Sequence, residues 1–170
     1  MEKWRRYIDE DCEDDEVEQV AQVAHQGQTR RSGEEYITHP KEVARLAAEF
    51  GYDELIQNVA MLHDTLEDYK DVMEMEEYIK EACPEALPIV KELTHAPGSD
   101  YTEYVLSLSS QALQVKLLDM LHNSADLTPD KKQYMKYSGA LQALIDRDGG
   151  PPTAIKPEHW KAVSSQLGLQ

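Results

Sequence analysis

Cysteine is scarce in this chain: Cys12 and Cys83 are its two thiols, and neither belongs to a Cys-x-x-Cys pair. That usage argues against a disulfide scaffold and suits reduced residues without a catalytic role in a cytosolic protein. Long apolar runs are missing too. None approaches the roughly 20 residues of a membrane helix, and Met1-Glu-Lys-Trp-Arg-Arg6 lacks the apolar core of a secretory signal, so a cytoplasmic setting is expected. Cations are outnumbered, 17 Lys and Arg against 33 Asp and Glu, for a formal net charge of -16. Unspecific nucleic-acid binding and attachment to anionic membranes both need a positive footprint and are disfavoured. A polyanionic substrate would need a local basic rim or a metal ion to offset the field. No segment alternates with β-branched residues, and there is no internal repeat, low-complexity tract or inter-domain linker. The expected fold class is all-α, a single helical bundle with little or no sheet, because 170 residues suffice for one compact core.

What is present is helical periodicity. Asp9 to Glu18 is strongly acidic and reads as a solvated extension over residues 1–16. Val17, Val20, Ala21 and Ala24 then form a stripe that stops at Gly27. Residues 28–40 read as a loop, with Pro40 at the first position of the next helix, which carries Val43, Leu46, Ala47 and Phe50 and closes at Gly51. Asp53 caps a third helix, in which Leu55, Val59, Leu62 and Leu66 make the core stripe. Val72, Met75, Tyr78, Ile79 and Ala82 form another amphipathic segment, stopped at Cys83-Pro84, and Ala86, Ile89, Val90 and Leu93 continue helically. Asp100 caps a helix with Tyr101, Tyr104, Val105 and Leu108; Tyr134, Tyr137, Leu141, Leu144 and Ile145 make a further one. The helical domain thus runs over residues 17–147, followed over 148–170 by a Gly/Pro turn and a short helix begun at Pro157.

Chemistry concentrates in two stretches. In Met61-Leu-His-Asp-Thr-Leu-Glu-Asp68, at about 100° per residue, His63 and Glu67 lie roughly 40° apart, as do Asp64 and Asp68. One helical segment then presents an imidazole and three carboxylates to one small volume, although an acidic helix end is also common in a chain this acidic. In the second stretch, Lys116, Asp119 and Asn123 recur as a polar stripe on an otherwise apolar helix. Such a stripe meets solvent or faces a polar cavity, and its apolar flanks favour the cavity. His39, before Pro40, is a capping or partly buried residue unless it has partners. Arg30 and Arg31 are either solvated charge or anion contacts on a loop. His39, His63, Asp64 and Asp119 together would make a mixed nitrogen and oxygen site that suits Mn2+, Fe2+ or Zn2+ better than Ca2+. An ion there would activate water and polarise a phosphoryl oxygen, with Glu67 or Asp68 moving the proton.

These residues sit in five ordered segments: Ala24-His-Gln-Gly-Gln28, Arg30-Arg-Ser-Gly33, Tyr36-Ile-Thr-His-Pro40, Met61 to Asp68, and Val115-Lys-Leu-Leu-Asp-Met-Leu-His-Asn123. In that order they resemble the HD-domain metal-dependent phosphohydrolases, and within them the hydrolase half of the RelA/SpoT-type guanosine tetraphosphate enzymes and their small stand-alone relatives. The resemblance implies metal ligands at His39, His63, Asp64 and Asp119, with one Mn2+ as the usual ion. It implies catalytic acids at Glu67 and Asp68, and contacts to a small-molecule nucleotide from Arg30, Arg31, Lys116 and Asn123. The family reaction removes pyrophosphate from the 3′ position of a guanosine nucleotide. Leu118 and Met120 stand where the family usually has Ala and Arg around its last metal aspartate, so one possible basic contact is missing. The segment between Asp68 and Lys116 is shorter than in the long enzymes, and no synthetase domain is present. Two alternatives therefore stand beside guanosine tetraphosphate hydrolysis. One is a phosphatase for NADPH or a deoxynucleotide; the other is a regulatory HD module that binds nucleotide without turnover.

Overall fold

The computed structural model of the protein describes residues 16–169. The acidic extension and Cys12 lie outside them. The described residues are helical apart from turns and one isolated antiparallel bridge, Thr29 with Glu35, so the fold class is all-α. None of these helices is long and apolar enough to cross a membrane. Two compact units meet in sequence between Thr94 and His95.

The first unit runs α1 (Glu16–Ala24), α2 (Thr38–Glu49), α3 (Glu54–Leu62), α4 (Thr65–Asp68), α5 (Val72–Ala82), a 3-10 turn (Pro84–Ala86) and α6 (Leu87–Glu92). Val20, Ala21, Val43, Ala47, Val59, Ala60 and Leu62 are fully buried and form its centre, where α1 and α2 pack on α3. Burying such side chains stabilises by about 1.5–3 kcal/mol for each of the larger ones. The stops fall where glycine permits a left-handed turn: Gly27 has φ 81° and Gly51 φ 87°. Asp53 caps α3 by accepting the Ile56 N–H at 3.1 Å.

Three local expectations change. α2 begins at Thr38 rather than at Pro40, so His39 and Pro40 lie inside its first turn and are buried there. The missing proline N–H costs nothing at that position, because first-turn amides have no intrahelical acceptor. The helix expected to run on through Leu66 to Glu67 and Asp68 is interrupted at His63 and Asp64, and α4 is a separate single turn. The Thr65 hydroxyl bonds Leu62 O at 2.8 Å at the interruption, and Asp64 has relaxed to φ −101°, ψ 0°. Val72, counted in the α5 stripe, is 43% exposed at the first turn, leaving Met75, Tyr78 and Ile79 to hold that face.

The second unit comprises α7 (Tyr101–Ser107), α8 (Ser110–Asn123), α9 (Lys132–Asp148) and α10 (Pro157–Gln166). Leu113, Leu117 and Met120 of α8 share a core with Tyr137, Leu141 and Leu144 of α9 and Val163 of α10. Asp100 and Ser109 cap α7 and α8 through the Glu103 and Ala112 amides. Gly149, at φ 74°, ends α9. α10 is tied to the end of α8 by the Gln166 amide, which donates to Leu121 O and to Ser124 Oγ, each at 2.6 Å.

Candidate metal centre and its surroundings

Three of the residues singled out in the sequence converge in the first unit. The first turn of α2 delivers His39, and the break after α3 delivers His63 and Asp64. Both imidazoles are buried, at 1% and 3% exposure. His39 Nε2 stands 3.6 Å and His63 Nε2 3.1 Å from the same carboxylate oxygen, Asp64 Oδ2, with the rings edge to face at 5.1 Å.

The hydrogen bonds around this trio decide its chemistry. His63 Nδ1 lies 2.6 Å from Ala60 O. A carbonyl oxygen only accepts, so Nδ1 carries the proton, and in the neutral ring Nε2 presents its lone pair to a carboxylate 3.1 Å away. Two acceptors facing each other at that distance repel unless a proton or a cation lies between them. A backbone carbonyl on the far ring nitrogen is also the partner that metal-bound histidines use. Buried nitrogen donors beside a carboxylate therefore fit a divalent cation, and the donor mixture is one that first-row metals accept.

Around the trio lies a ring of residues to which sequence reasoning gave no role. Tyr36 donates its hydroxyl to Asp64 Oδ2 at 2.7 Å. His25 packs against Tyr36 with ring centroids 4.8 Å apart. The nearer cue was in plain view, since His25, Gln28 and Tyr36 all fall in the ordered segments quoted above. Their use depends on contacts across tens of residues, which periodicity does not reveal.

Glu67 and Asp68 sit on α4. Glu67 is exposed, while the Asp68 side chain is 27% exposed and has one oxygen 3.5 Å from His25 Nδ1. Burial, then the neighbouring Asp64 and Glu67 carboxylates, push the Asp68 carboxyl up to about 6, with His63 pulling it back. A carboxyl poised near neutrality is suited to proton transfer. Arg30 and Arg31 lie on a short loop closed by the Thr29–Glu35 bridge and by the Arg30 N–H on Glu34 O at 2.8 Å, with Gly33 at φ 92° making its turn. Arg30 is half-buried and Arg31 exposed.

In the second unit, the Lys116, Asp119 and Asn123 stripe turns inward and its members bond one another. Lys116 Nζ donates to Asp119 Oδ2 at 3.1 Å, and Asn123 Nδ2 donates to Oδ1 at 2.9 Å. The side chains of Lys116 and Asp119 are 16% and 5% exposed. Burial opposes the Lys116 charge, but the Asp119 carboxylate more than offsets it and holds the ammonium well above the usual lysine range. The same ammonium lies 5.5 Å from the centre of the Tyr101 ring and 5.9 Å from that of Tyr104.

A helical fold with a buried two-histidine, one-aspartate cradle fits the class of helical metal-site proteins. Family comparison makes the class specific: residues 18–119 match the HD domain, and the chain belongs to that family. It is 34% identical over 131 residues to the bifunctional (p)ppGpp synthase/hydrolase SpoT of Escherichia coli (strain K12), a match covering 67% of this chain and 18% of that protein. It is likewise 34% identical over 128 residues to the guanosine-3′,5′-bis(diphosphate) 3′-pyrophosphohydrolase of Vibrio cholerae, again 67% of this chain and 18% of the relative. The chain thus spans under a fifth of the length of these two relatives. A solved structure described as a metazoan ortholog of SpoT that hydrolyzes ppGpp superposes with a TM-score of 0.68 over 91% of this chain and 95% of its own, at 22% identity. That likeness establishes the shared fold.

Proposed function

We propose that this chain is a divalent-metal-dependent nucleotide phosphohydrolase of the cytoplasm that removes pyrophosphate from the 3′ position of a guanosine 3′,5′-bis(diphosphate)-like substrate. The observation that carries the reading is the pair of buried imidazole nitrogens aimed at one oxygen of Asp64. The relatives of like sequence, by name synthases or hydrolases of that nucleotide, support the substrate class.

In this reading His39, His63 and Asp64 hold the ion, Asp119 is its fourth ligand, and Mn2+ is the metal used. When bound, the ion supplies positive charge against the pyrophosphate and polarises a phosphoryl oxygen. The remaining work falls to side chains. Tyr36 fixes the Asp64 carboxylate through its hydroxyl, and Ala60 O fixes the His63 tautomer. Asp68, with its raised pKa, exchanges a proton with the attacking water or the leaving group, and Glu67 orients that water. Arg30 and Arg31 supply the basic rim that a chain of charge -16 needs for a polyanion. Lys116 and Asn123, besides holding Asp119, face the nucleotide.

The test is direct. Mn2+-loaded protein is incubated with guanosine tetraphosphate, NADPH and deoxynucleotides, and products are identified by mass, with Asp64→Ala as the blank. Pyrophosphate with the 5′-diphosphate is the expected product pair. Release of phosphate from NADPH alone would move the substrate assignment, and binding without product from any of them would leave a regulatory module.

A further inference from the structure

The segment Ala24-His-Gln-Gly-Gln28 contains a histidine that no step above uses. His25 follows the last residue of α1 and is 3% exposed, with its backbone N–H still bonded to Ala21 O at 3.0 Å. Gly27 turns the chain back, so that Gln28 Oε1 stands 2.8 Å from His25 Nδ1. Beyond the same nitrogen, Asp68 Oδ2 lies at 3.5 Å. An amide oxygen and a carboxylate oxygen both accept, so Nδ1 carries the hydrogen. The other ring nitrogen, Nε2, is then a bare acceptor, and it is buried without a hydrogen-bond partner. Burial lowers the ring's pKa, against the Gln28 hydrogen bond and the Asp64 charge, and the imidazole stays neutral. A neutral ring in this tautomer has one N–H to give.

We propose that His25 is a positioning residue for Asp68: its Nδ1–H, oriented by Gln28, is the donor that aims the Asp68 carboxyl at the reacting groups. In this structure the Nδ1–H is held by Gln28 Oε1, and the Asp68 carboxylate is the next acceptor in line. Asp68 Oδ2 is 0.7 Å farther from Nδ1 than Gln28 Oε1 (3.5 less 2.8 Å), and a charged acceptor outcompetes a neutral amide once within reach. Asp68 ends a one-turn helix, so a small shift of α4 closes the gap. Tyr36 locks the ring from its face while binding Asp64, which ties the orientation of Asp68 to that of the metal cradle.

The inference rests on the phosphohydrolase reading in its kinetic arm, and a second arm is free of it. In the Mn2+-loaded protein His25→Ala lowers kcat by about 10–100-fold, with KM and bound Mn2+ little changed, as for other residues that orient a catalytic group. His25→Asn, whose side-chain N–H replaces Nδ1–H, restores most of that loss, whereas His25→Gln, which mimics Nε2, does not. Unchanged kcat in His25→Ala overturns the proposal, as does rescue by Gln in place of Asn. The second arm is histidine ring-nitrogen NMR on the diamagnetic Zn2+-loaded protein. His25 shows the Nδ1–H tautomer, and its Nδ1 resonance moves in Asp68→Asn. An Nε2–H tautomer, or no movement, overturns the proposal even if a variant folds poorly or the wild type turns over no substrate. Wild-type inactivity toward every nucleotide defeats the functional reading alone.

Discussion

Asp64 and Asp119 are two carboxylates withdrawn from water by opposite means. Asp119 is 5% exposed and meets an ammonium and an amide N–H, so its charge is balanced by its own helix. Asp64 is 17% exposed and meets one phenol hydroxyl and two imidazole nitrogens, of which His63 Nε2 offers a lone pair. The first arrangement already holds a cation. The second is incomplete until a proton or a cation joins it, and that difference separates a carboxylate held ready from one waiting for charge.

The comparison can be broken most sharply by activity. Asp64→Ala is expected to lose bound metal and all measurable turnover, while Glu67→Ala keeps its metal and slows by about 10²-fold, as for a misplaced reacting group. Metal content by atomic spectroscopy beside kcat would show it; equal metal content in both variants would contradict the division of roles. Stability without metal should order the two aspartates the other way. Asp119→Ala strands Lys116 in a buried site and costs about 3–5 kcal/mol in denaturant unfolding, whereas Asp64→Ala relieves a repulsive contact while losing the Tyr36 hydrogen bond and costs about 1 kcal/mol. A larger loss in Asp64→Ala would erase the contrast.

A third difference concerns pH. In the second unit, burial drives His159 on α10 down to about 4 from an ordinary 6.5, against a weaker pull from its hydrogen bond to the Leu117 backbone. Between those values the unfolded chain binds the proton and the folded one does not. Stability is therefore complete above about pH 6.5 and is lost as pH falls toward 4, by about 3 kcal/mol in all. His159→Leu should flatten that part of the pH profile, and an unchanged slope would place its cause elsewhere. Smallest is the ion's own contribution: at 100 times Kd, Mn2+ should stabilise the chain by about 2.7 kcal/mol, read as a drop in Tm on adding a chelator. Asp64→Ala should show no such drop.

The helices were legible because their causes are local. The α1, α2 and α9 stripes, the glycines after them and the Asp53 and Asp100 caps each depend on residues within a few positions. Where packing or hydrogen bonding overrode periodicity, expectation failed: Thr65 ended α3 early through its hydroxyl, and Thr38 rather than Pro40 began α2. His39, His63 and Asp64 were legible as a group from ordered motifs. The Tyr36 hydroxyl on Asp64 spans 28 positions, and His25 reaches Asp68 across 43. Neither link has a spacing rule to betray it.

The break between α3 and α4 also divides the time scales of the site. The α3 amides lie over the fully buried Val59, Ala60 and Leu62 and can exchange with solvent only when the first unit opens. The Asp68 and Tyr69 amides are held by one turn, through Asp64 O at 3.2 Å and Thr65 O at 3.1 Å, and should exchange far sooner. The acidic pair is thus held less firmly than the buried helix that leads to the histidine scaffold.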